Sequence, residues 1–364
     1  MNKVAQQQSA AIAANYRDGY REGLRLGGCE SILKRVRVPE PYYRDVKVLY
    51  IPQGFESIDS GIRDALQKNV RECVVGTAEG ILEAARAHRP DLVLVLNGLH
   101  VFPENQVEQI KEVRAMGIRT AIWFVDDPYF TSSTSVLSSH YDLVFTHEMN
   151  CVSFYKGLGA RRVHYMPLAV HPELYAPRRI SPEYDSDICF IGNAFWNRVE
   201  LFDKLAPFLT GKKVIIAGGF WERLNRKDLL GEFIRPGWMA PEEVAKHYNG
   251  ARIVINLHRP SEPGQDNQNS FGLGANSINP RTYEISACGT LQLTDWRKDL
   301  VQYYRPGYDL ETFTSAEELQ LKLAYYLEHE KERREMAWRG LYTTMERHTY
   351  TMRMRSLLAL ALAE

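Results

Sequence analysis

The chain has 364 residues, 45% of them hydrophobic and 25% charged. At about 150 residues per domain this length predicts about two domains, and the ordinary composition excludes global disorder and low-complexity architecture. Lys and Arg together number 45 and Asp and Glu together number 45, so the net charge is zero. Without an overall positive field we expect no nucleic-acid partner, and any anion site must be built locally.

The five cysteines stand at 29, 73, 151, 189 and 288, far apart and odd in number. This spacing argues against a zinc cage, a redox pair or a disulfide framework, and is typical of a reducing compartment. No uncharged apolar stretch approaches the ~18 residues that span a bilayer, and the start lacks the apolar core of a signal peptide. We therefore expect a cytoplasmic protein without a membrane span.

After an N-terminal stretch of about 35 residues with helical spacing, short apolar runs alternate with amphipathic stretches. This alternation predicts a parallel sheet with helices on both faces. The strands are expected at 46–51, 73–75, 91–98, 119–125, 142–146 and 162–166, and the clearest helices at 77–88, 104–116 and 148–157.

Residues 167–186 carry four prolines and little periodicity, which is the composition of a linker between domains. The alternation then restarts, with strands at 187–192, 213–218, 252–257 and 290–294, and helices at 196–208, 222–230, 241–249, 280–288 and 315–330. The expected fold is α/β, two Rossmann-like domains whose parallel sheets face a central cleft. We divide the chain into an N-terminal domain (1–170) and a C-terminal domain (171–344). We expect helix throughout 331–363, with the C-terminal helix of 345–364 packed back on the first domain.

In open α/β sheets ligands sit at the carboxyl ends of strands, against helix N-termini. Asn279 is well placed to cap a helix whose first residue is Pro280. Arg281 in the first turn opposes the helix dipole, so an anion such as a diphosphate between them would satisfy both. Glu284, one turn on, could accept two hydroxyls of a ribose. The alternative is a surface Arg–Glu pair.

Other strand ends in the second half offer further candidates. Gly192 and Asn193 end one strand, and Arg198 in the next helix is either a phosphate contact or a solvated arginine. Gly218 and Gly219 let a backbone approach a ligand closely, or only form a tight turn.

Three more strand ends carry polar side chains. Asn256 and His258 close the strand at 252–257, although a lone histidine is more often structural. Asp126 and Asp127 end a strand of the first half, where they suit a base or an acceptor of sugar hydroxyls, or else cap a helix. His147, after another strand, is a second candidate for the base.

Four segments resemble, in the same order, those of the CgeB/YkvP-like spore maturation glycosyltransferases. The most specific is NPRTYEISACGTLQLT (279–294), with Arg281, Tyr283 and Glu284; the others are WFVDDPYF (123–130), CFIGNAFWNRVELFDKL (189–205) and IVINLHR (253–259). The resemblance implies the GT-B fold, with the donor held mainly by the second domain and Gln53–Gly54 in a loop beneath the sugar phosphates. Many retaining enzymes of this fold carry two glutamates; only Glu284 has a counterpart, and Asn276 stands at the other position.

These residues and the resemblance predict a metal-independent glycosyltransferase that uses a nucleotide-diphosphate sugar, with a UDP sugar preferred. Arg281, Arg198 and the helix after Asn279 would neutralise the leaving diphosphate, so no metal and no cofactor besides the donor are expected. We expect the acceptor to be a glycan or a protein, and the resemblance suggests a role at a spore surface. The alternatives are a sugar-nucleotide epimerase of the same fold and a non-catalytic nucleotide-sugar-binding module.

Overall fold

The computed structural model describes residues 3–37, 40, 42–264 and 266–363. Each half of the chain contributes one parallel sheet with flanking helices, as predicted, and each sheet has six strands. The first half comprises α1 (Lys3–Leu33), β1 (Arg44–Ile51), α2 (Glu56–Asn69), β2 (Val70–Val75), α3 (Ile81–His88), β3 (Leu92–Leu96), α4 (Gln106–Ala115), β4 (Arg119–Phe124), α5 (Thr131–Leu137), β5 (Leu143–Thr146), α6 (Met149–Gly157) and β6 (Val163–Tyr165).

The first sheet has the strand order β2-β1-β3-β4-β5-β6. Its central strand β3 is fully buried along its length, because helices cover both faces of a parallel sheet.

The second half forms the second sheet and ends in three helices. It comprises β7 (Ser186–Ile191), α7 (Trp196–Leu209), β8 (Val214–Gly218), α8 (Lys227–Leu230), β9 (Ile234–Pro236), α9 (Pro241–Gly250), β10 (Ala251–Asn256), α10 (Pro280–Ala287), β11 (Leu291–Asp295), α11 (Leu300–Tyr303), β12 (Glu311–Phe313), α12 (Ala316–Glu328), α13 (Glu330–Arg347) and α14 (Tyr350–Ala361). The strand order is β12-β11-β10-β7-β8-β9. The order reverses between β7 and β10, and such a switch point opens a crevice at the carboxyl ends of the strands.

The last helix returns to the first half of the chain. The apolar side of α14 is buried and packs on α2, and Arg162 Nη2 donates to the Leu360 carbonyl at 2.8 Å. The continuous helix expected over 331–363 is wrong, because the chain pairs with Val170 at 348–350. Thr349 then caps α14 by accepting the Met352 amide. Among the described residues, no helix is both long and apolar enough to cross a membrane.

The first helix packs against the second half of the chain. The side of α1 around Gly28 lies against α13, where the Trp338 ring fills the space that a Cβ atom would need. The neighbouring Cys29 is buried beside Gly289. The helix at the start of the chain therefore contacts the unit that carries α10.

Some elements differ from the sequence prediction. The helix expected at 222–230 is reduced to a 3-10 turn (Trp221–Arg223) and the short α8, because the Asp203 carboxylate accepts the amides of Asn225 and Arg226 at 3.0 and 2.8 Å and holds the chain in a loop. The edge strands β9 and β12 and the short helices α5 and α11 were not predicted. Each edge strand has three residues, too few for a period to show.

Candidate active site

The two halves meet along a cleft lined by the carboxyl ends of their strands. Ser57 Oγ of α2 lies 3.5 Å from Glu284 Oε1 of α10. On another side, Tyr129 donates through its hydroxyl to the Arg259 carbonyl at 3.2 Å. The segment 258–278 follows β10 and hydrogen bonds to α5, where Gln268 accepts the Ser132 amide through its carbonyl at 3.0 Å. The predicted site residues of both halves are thus brought to one region.

The N-terminus of α10 is capped as the sequence predicts. Asn279 Oδ1 accepts the Thr282 amide at 3.1 Å, and Pro280 is the first helical residue. Asn256 is fully buried beside the cap: its Nδ2 donates to Asn279 Oδ1 at 3.1 Å, and its Oδ1 accepts Asn279 Nδ2 at 2.8 Å. The Asn256 side chain is used in this network and fixes the position of the cap.

His258 supports the same cap from the side. Its Nδ1 lies 2.6 Å from Asp295 Oδ1, and its Nε2 accepts the Asn279 amide at 3.0 Å. Burial lowers the pKa of His258. Burial acts against ionisation of Asp295, yet the contact with His258 and the nearby Arg297 lower the pKa of that carboxyl. The arrangement is a neutral imidazole that donates to a carboxylate and orients Asn279.

Two guanidinium groups converge at the end of β7. The position that a Cβ atom on Gly192 would take lies 3.0 Å from Arg198 Nη1 and 3.4 Å from Arg281 Nη2. Burial and then the charge of Arg281 lower the pKa of Arg198 to about 9. Two cations held this close repel each other, and a bound anion would remove that repulsion.

The two arginines differ in how they are held. Arg198 is buried and donates to the Leu257 carbonyl from Nε and Nη2 at 3.1 and 2.7 Å, and to the Asn193 carbonyl from Nη1 at 2.7 Å. Arg281 donates to the Ile191 carbonyl from Nε at 2.9 Å. No hydrogen bond from its two terminal nitrogens is found within the part of the chain that the structure describes. Arg281 therefore has more donors left for a ligand than Arg198.

Glu284 lies in the cleft one turn further along α10. It is 8% exposed, and burial raises its pKa to about 7, against the opposing effects of Arg281 and Ser57. A carboxyl group that is neither fully ionised nor fully protonated near neutral pH can accept from hydroxyls and donate to them. Tyr283 does not face the cleft. Its ring is buried against Tyr304 and His348 and fixes α10 in the core.

The glycines after β8 pack against the end of β7. A Cβ atom on Gly218, where φ is +132°, would overlap the Gly192 carbonyl oxygen. The Gly219 amide donates to Asn193 Oδ1 at 3.0 Å. Gly218 is therefore required for contact between two strand ends, and this contact shapes the loop beside the guanidinium groups.

Asp126 and Asp127 face different surroundings. Asp127 is buried, and its carboxylate accepts the hydroxyls of Tyr155 and Thr146 at 2.7 and 2.6 Å. Burial raises the pKa of Asp127 to about 6, even though these hydrogen bonds act to lower it. The charge of Asp126 also raises this pKa, but by less than burial does. Asp126 accepts a hydrogen bond from Asn97 Nδ2 at 3.1 Å. Burial raises the pKa of Asp126 above its ordinary value, and the charge of Arg259 in the other half opposes this increase. Asp126 is the one of the pair that interacts across the cleft.

His147 is buried, and neither of its ring nitrogens has a hydrogen-bond partner within the described residues. Burial lowers the pKa of His147 to about 4, with an opposing effect of the Asp127 backbone and a smaller lowering effect of the nearby His258. His147 is therefore neutral near neutral pH, and a ring nitrogen of a neutral imidazole can accept a hydroxyl hydrogen bond.

The loop after β1 uses its polar groups internally. Gln53 Nε2 donates to the Leu99 carbonyl at 2.6 Å, and its Oε1 accepts the Leu99 amide at 3.0 Å. The Gly54 amide donates to Asp59 Oδ2 at 2.8 Å. Gln53 thus joins the ends of β1 and β3, and these groups shape the floor of the cleft.

Three residues of the cleft were missed in the sequence. Asn97 has a φ of +60°, and its Oδ1 accepts the Asp126 amide at 3.3 Å. Glu148 binds the backbone of the second half, and Arg259 lies over the rings of Tyr129 and Phe195 at 4.6 and 4.7 Å. Asn97 ends a buried strand next to a glycine, a signal that could have been used; the partners of the other two are distant in sequence.

Known proteins resemble this chain in sequence and in fold. Residues 198–359 match the glycosyl transferase-like family. Spore protein CgeB of Bacillus subtilis is 28% identical over 330 residues, which cover 87% of this chain and 99% of that protein. The resemblance stated from the motifs is thereby confirmed.

Solved structures show the same architecture at low sequence identity. The Anabaena protein HepE, solved with UDP and glucose, is 11% identical, with a TM-score of 0.55 and coverage of 86% of this chain and 98% of that one. The sucrose-phosphate synthase of Thermosynechococcus elongatus is 11% identical, with a TM-score of 0.58 and coverage of 87% and 98%. These likenesses support the two-domain GT-B fold.

Proposed function

We propose that this chain, a CgeB-like glycosyltransferase of the GT-B fold, transfers a sugar from a UDP sugar to an acceptor without a metal ion. The observation that carries the proposal is the convergence of Arg198 and Arg281 at Gly192, next to the capped start of α10. The HepE structures were solved with UDP and with UDP-glucose, and this supports the choice of nucleotide.

The guanidinium groups would act on the leaving group. An acceptor hydroxyl oxygen attacks the anomeric carbon, the bond from that carbon to the phosphate oxygen breaks, and the electron pair leaves on UDP. Arg281 and the positive end of α10 would stabilise the developing charge, which is the main electrostatic task of the reaction. Glu284 would hold the ribose hydroxyls. Because Arg281 and the helix end would supply the neutralisation, we propose that the reaction needs no metal.

The first half would supply the acceptor side. Asp126 and His147 both border the cleft, and either could take the proton of the acceptor hydroxyl. Asp127 would serve by fixing the strand end, because its oxygens are bonded to hydroxyls of its own domain. If the reaction retains configuration, the leaving phosphate can take the proton itself.

Two observations bear on the acceptor and on the cellular location. The likeness to a spore protein supports an acceptor at a spore surface, either a glycan or a protein. The described cysteines are all unpaired, and this supports a cytoplasmic location.

The test is release of UDP from a panel of UDP sugars, with a spore-surface extract as acceptor and EDTA present. We expect acceptor-dependent release of UDP that EDTA does not reduce. Conversion of the sugar nucleotide without release would indicate an epimerase, and activity that requires added manganese would contradict the metal-independent mechanism.

A further inference from the structure

A second cavity lies outside the site of Arg281 and Glu284. It has a volume of about 400 Å³ and lies at the carboxyl ends of β10, β11 and β12, between the first half of α7 and the start of α12. This volume falls within the ~300–1,000 Å³ typical of small-molecule sites. Its position at the strand ends is also where open α/β sheets bind ligands.

The cavity combines an apolar floor with one exposed aromatic ring. Leu201, Leu257 and Phe313 are buried and form the floor, and Trp296 borders it with 49% of its surface exposed. The C–H face of a sugar ring packs well on the electron-rich face of an indole. Glu200 on the rim could accept the hydroxyls of such a ring.

One polar group in the wall lacks a partner. Asn197 Nδ2 donates to the His258 carbonyl at 2.9 Å, whereas its Oδ1 is buried and has no hydrogen-bond partner within the described part of the chain. Buried acceptors are nearly always satisfied in folded proteins. Because Oδ1 is closed off from solvent, a ligand hydroxyl would donate to it once the Asn197 side chain turns toward the cavity.

The cavity shares a wall with the donor site. Asn197 and Asp295, which line it, both contact His258, and His258 in turn accepts the Asn279 amide at the start of α10. We infer that the cavity binds a neutral pyranose unit of the acceptor glycan, beyond the unit that receives the new sugar. That this unit belongs to an acceptor rests on the proposed function; that the cavity binds a sugar does not.

Fluorine NMR tests the inference directly. Protein labelled with 5-fluorotryptophan gives one resonance for each of its six tryptophans, assigned by single Trp→Phe variants. It is titrated, with and without UDP, with the methyl glycosides of glucose, galactose, N-acetylglucosamine and rhamnose. We expect at least one glycoside to shift the Trp296 resonance and to leave that of Trp238 unchanged. Trp238 follows β9 and is a matched control, because it is 76% exposed and does not line the cavity. No response of Trp296 to any of the four, or an equal response of Trp238, overturns the inference.

Variants give a second measurement. Trp296→Ala and Asn197→Ala should each weaken binding of the active glycoside by about tenfold, whereas Trp238→Ala should not. Trp296→Ala should leave UDP binding unchanged. If the Trp296 resonance responds to a sugar while the wild type does not bind UDP, the proposed donor site is wrong and the sugar-binding role of the cavity is supported. If UDP binds and Trp296 stays silent, the cavity assignment alone fails.

Discussion

The Glu148 carboxylate of the first half accepts the backbone amide of Ser277 in the second half, at 3.0 Å. The same oxygen accepts the Asn276 amide at 2.9 Å, and the other oxygen accepts the Asn150 amide at 3.1 Å and so caps α6. These bonds hold the segment just before Asn279, so one side chain of the first half fixes where α10 begins.

This contact predicts that stability depends on pH. Burial raises the pKa of Glu148 from its ordinary 4.5 to about 7. The folded chain therefore binds this proton more tightly than the unfolded chain, and the stabilisation is full below about pH 4.5 and is lost as the pH rises through about 7. We expect wild type to lose up to ~3 kcal/mol more than Glu148→Gln between about pH 5 and pH 8.

Urea unfolding of both proteins across this range is the measurement. Glu284 also has a raised pKa, but it titrates in both proteins and drops out of the difference. The charge of Asp299 acts on Glu148, so part of the difference reflects the interaction between these two carboxyl groups. Parallel pH profiles for the two proteins would contradict the role of Glu148.

Asp126 and Asp127 should have different roles, Asp126 in turnover and Asp127 in stability. Asp126→Asn should reduce turnover by ~10²–10⁴-fold if Asp126 is the general base, and less if the leaving phosphate takes the proton. Asp127→Asn should mainly reduce stability, because one of the hydroxyls of Tyr155 and Thr146 would lose its acceptor and the other would donate to an uncharged oxygen. Both variants should bind UDP normally. Steady-state kinetics and thermal unfolding of each variant decide this; full activity in Asp126→Asn would shift the assignment to His147, tested as His147→Ala.

The contact between the ends of β7 and β8 should be sensitive to a single methyl group. Gly218→Ala places a Cβ atom against the Gly192 carbonyl at a positive φ. We therefore expect the free energy of unfolding to fall by more than the ~1–3 kcal/mol of backbone strain alone, and UDP binding to weaken. Gly211→Ala is the control, since Gly211 also has a positive φ of 79° but nothing within 4 Å of its Cβ position. Denaturant unfolding of the two variants measures the difference, and equal losses would show that backbone strain alone is responsible.

Local sequence signals predicted the parts of the site that depend on neighbouring residues. The cap at Asn279, followed by Pro280, involves only the residues of one helical turn. The burial of β3 is evident from its continuous run of apolar residues. The role of Glu148 depends on amides 128 and 129 positions away, which no local pattern records. The loop at Asn225 was mistaken for helix for the same reason, because its partner Asp203 lies 22 residues earlier.

The sequence also pointed to polar residues whose groups the fold uses internally. Asn256, His258 and Gln53 stand at strand ends, as ligand-binding residues do, yet each bonds to neighbouring loops. Strand-end position therefore identified the region of the cleft. Which donors remain free for a ligand depends on packing that only the structure supplies.

In the proposed donor site, Arg281 binds the diphosphate and Glu284 binds the ribose. Isothermal calorimetry of UDP and uridine, in EDTA, on wild type, Arg281→Ala and Glu284→Gln tests it most directly. Arg226→Ala, an exposed arginine of the same half, is the control for loss of positive charge. We expect Arg281→Ala to lose roughly 1.5–3 kcal/mol of UDP binding and little of uridine binding, and Glu284→Gln to weaken both ligands alike. Unchanged UDP affinity in Arg281→Ala, or an equal loss of uridine affinity in that variant, would contradict the assignment.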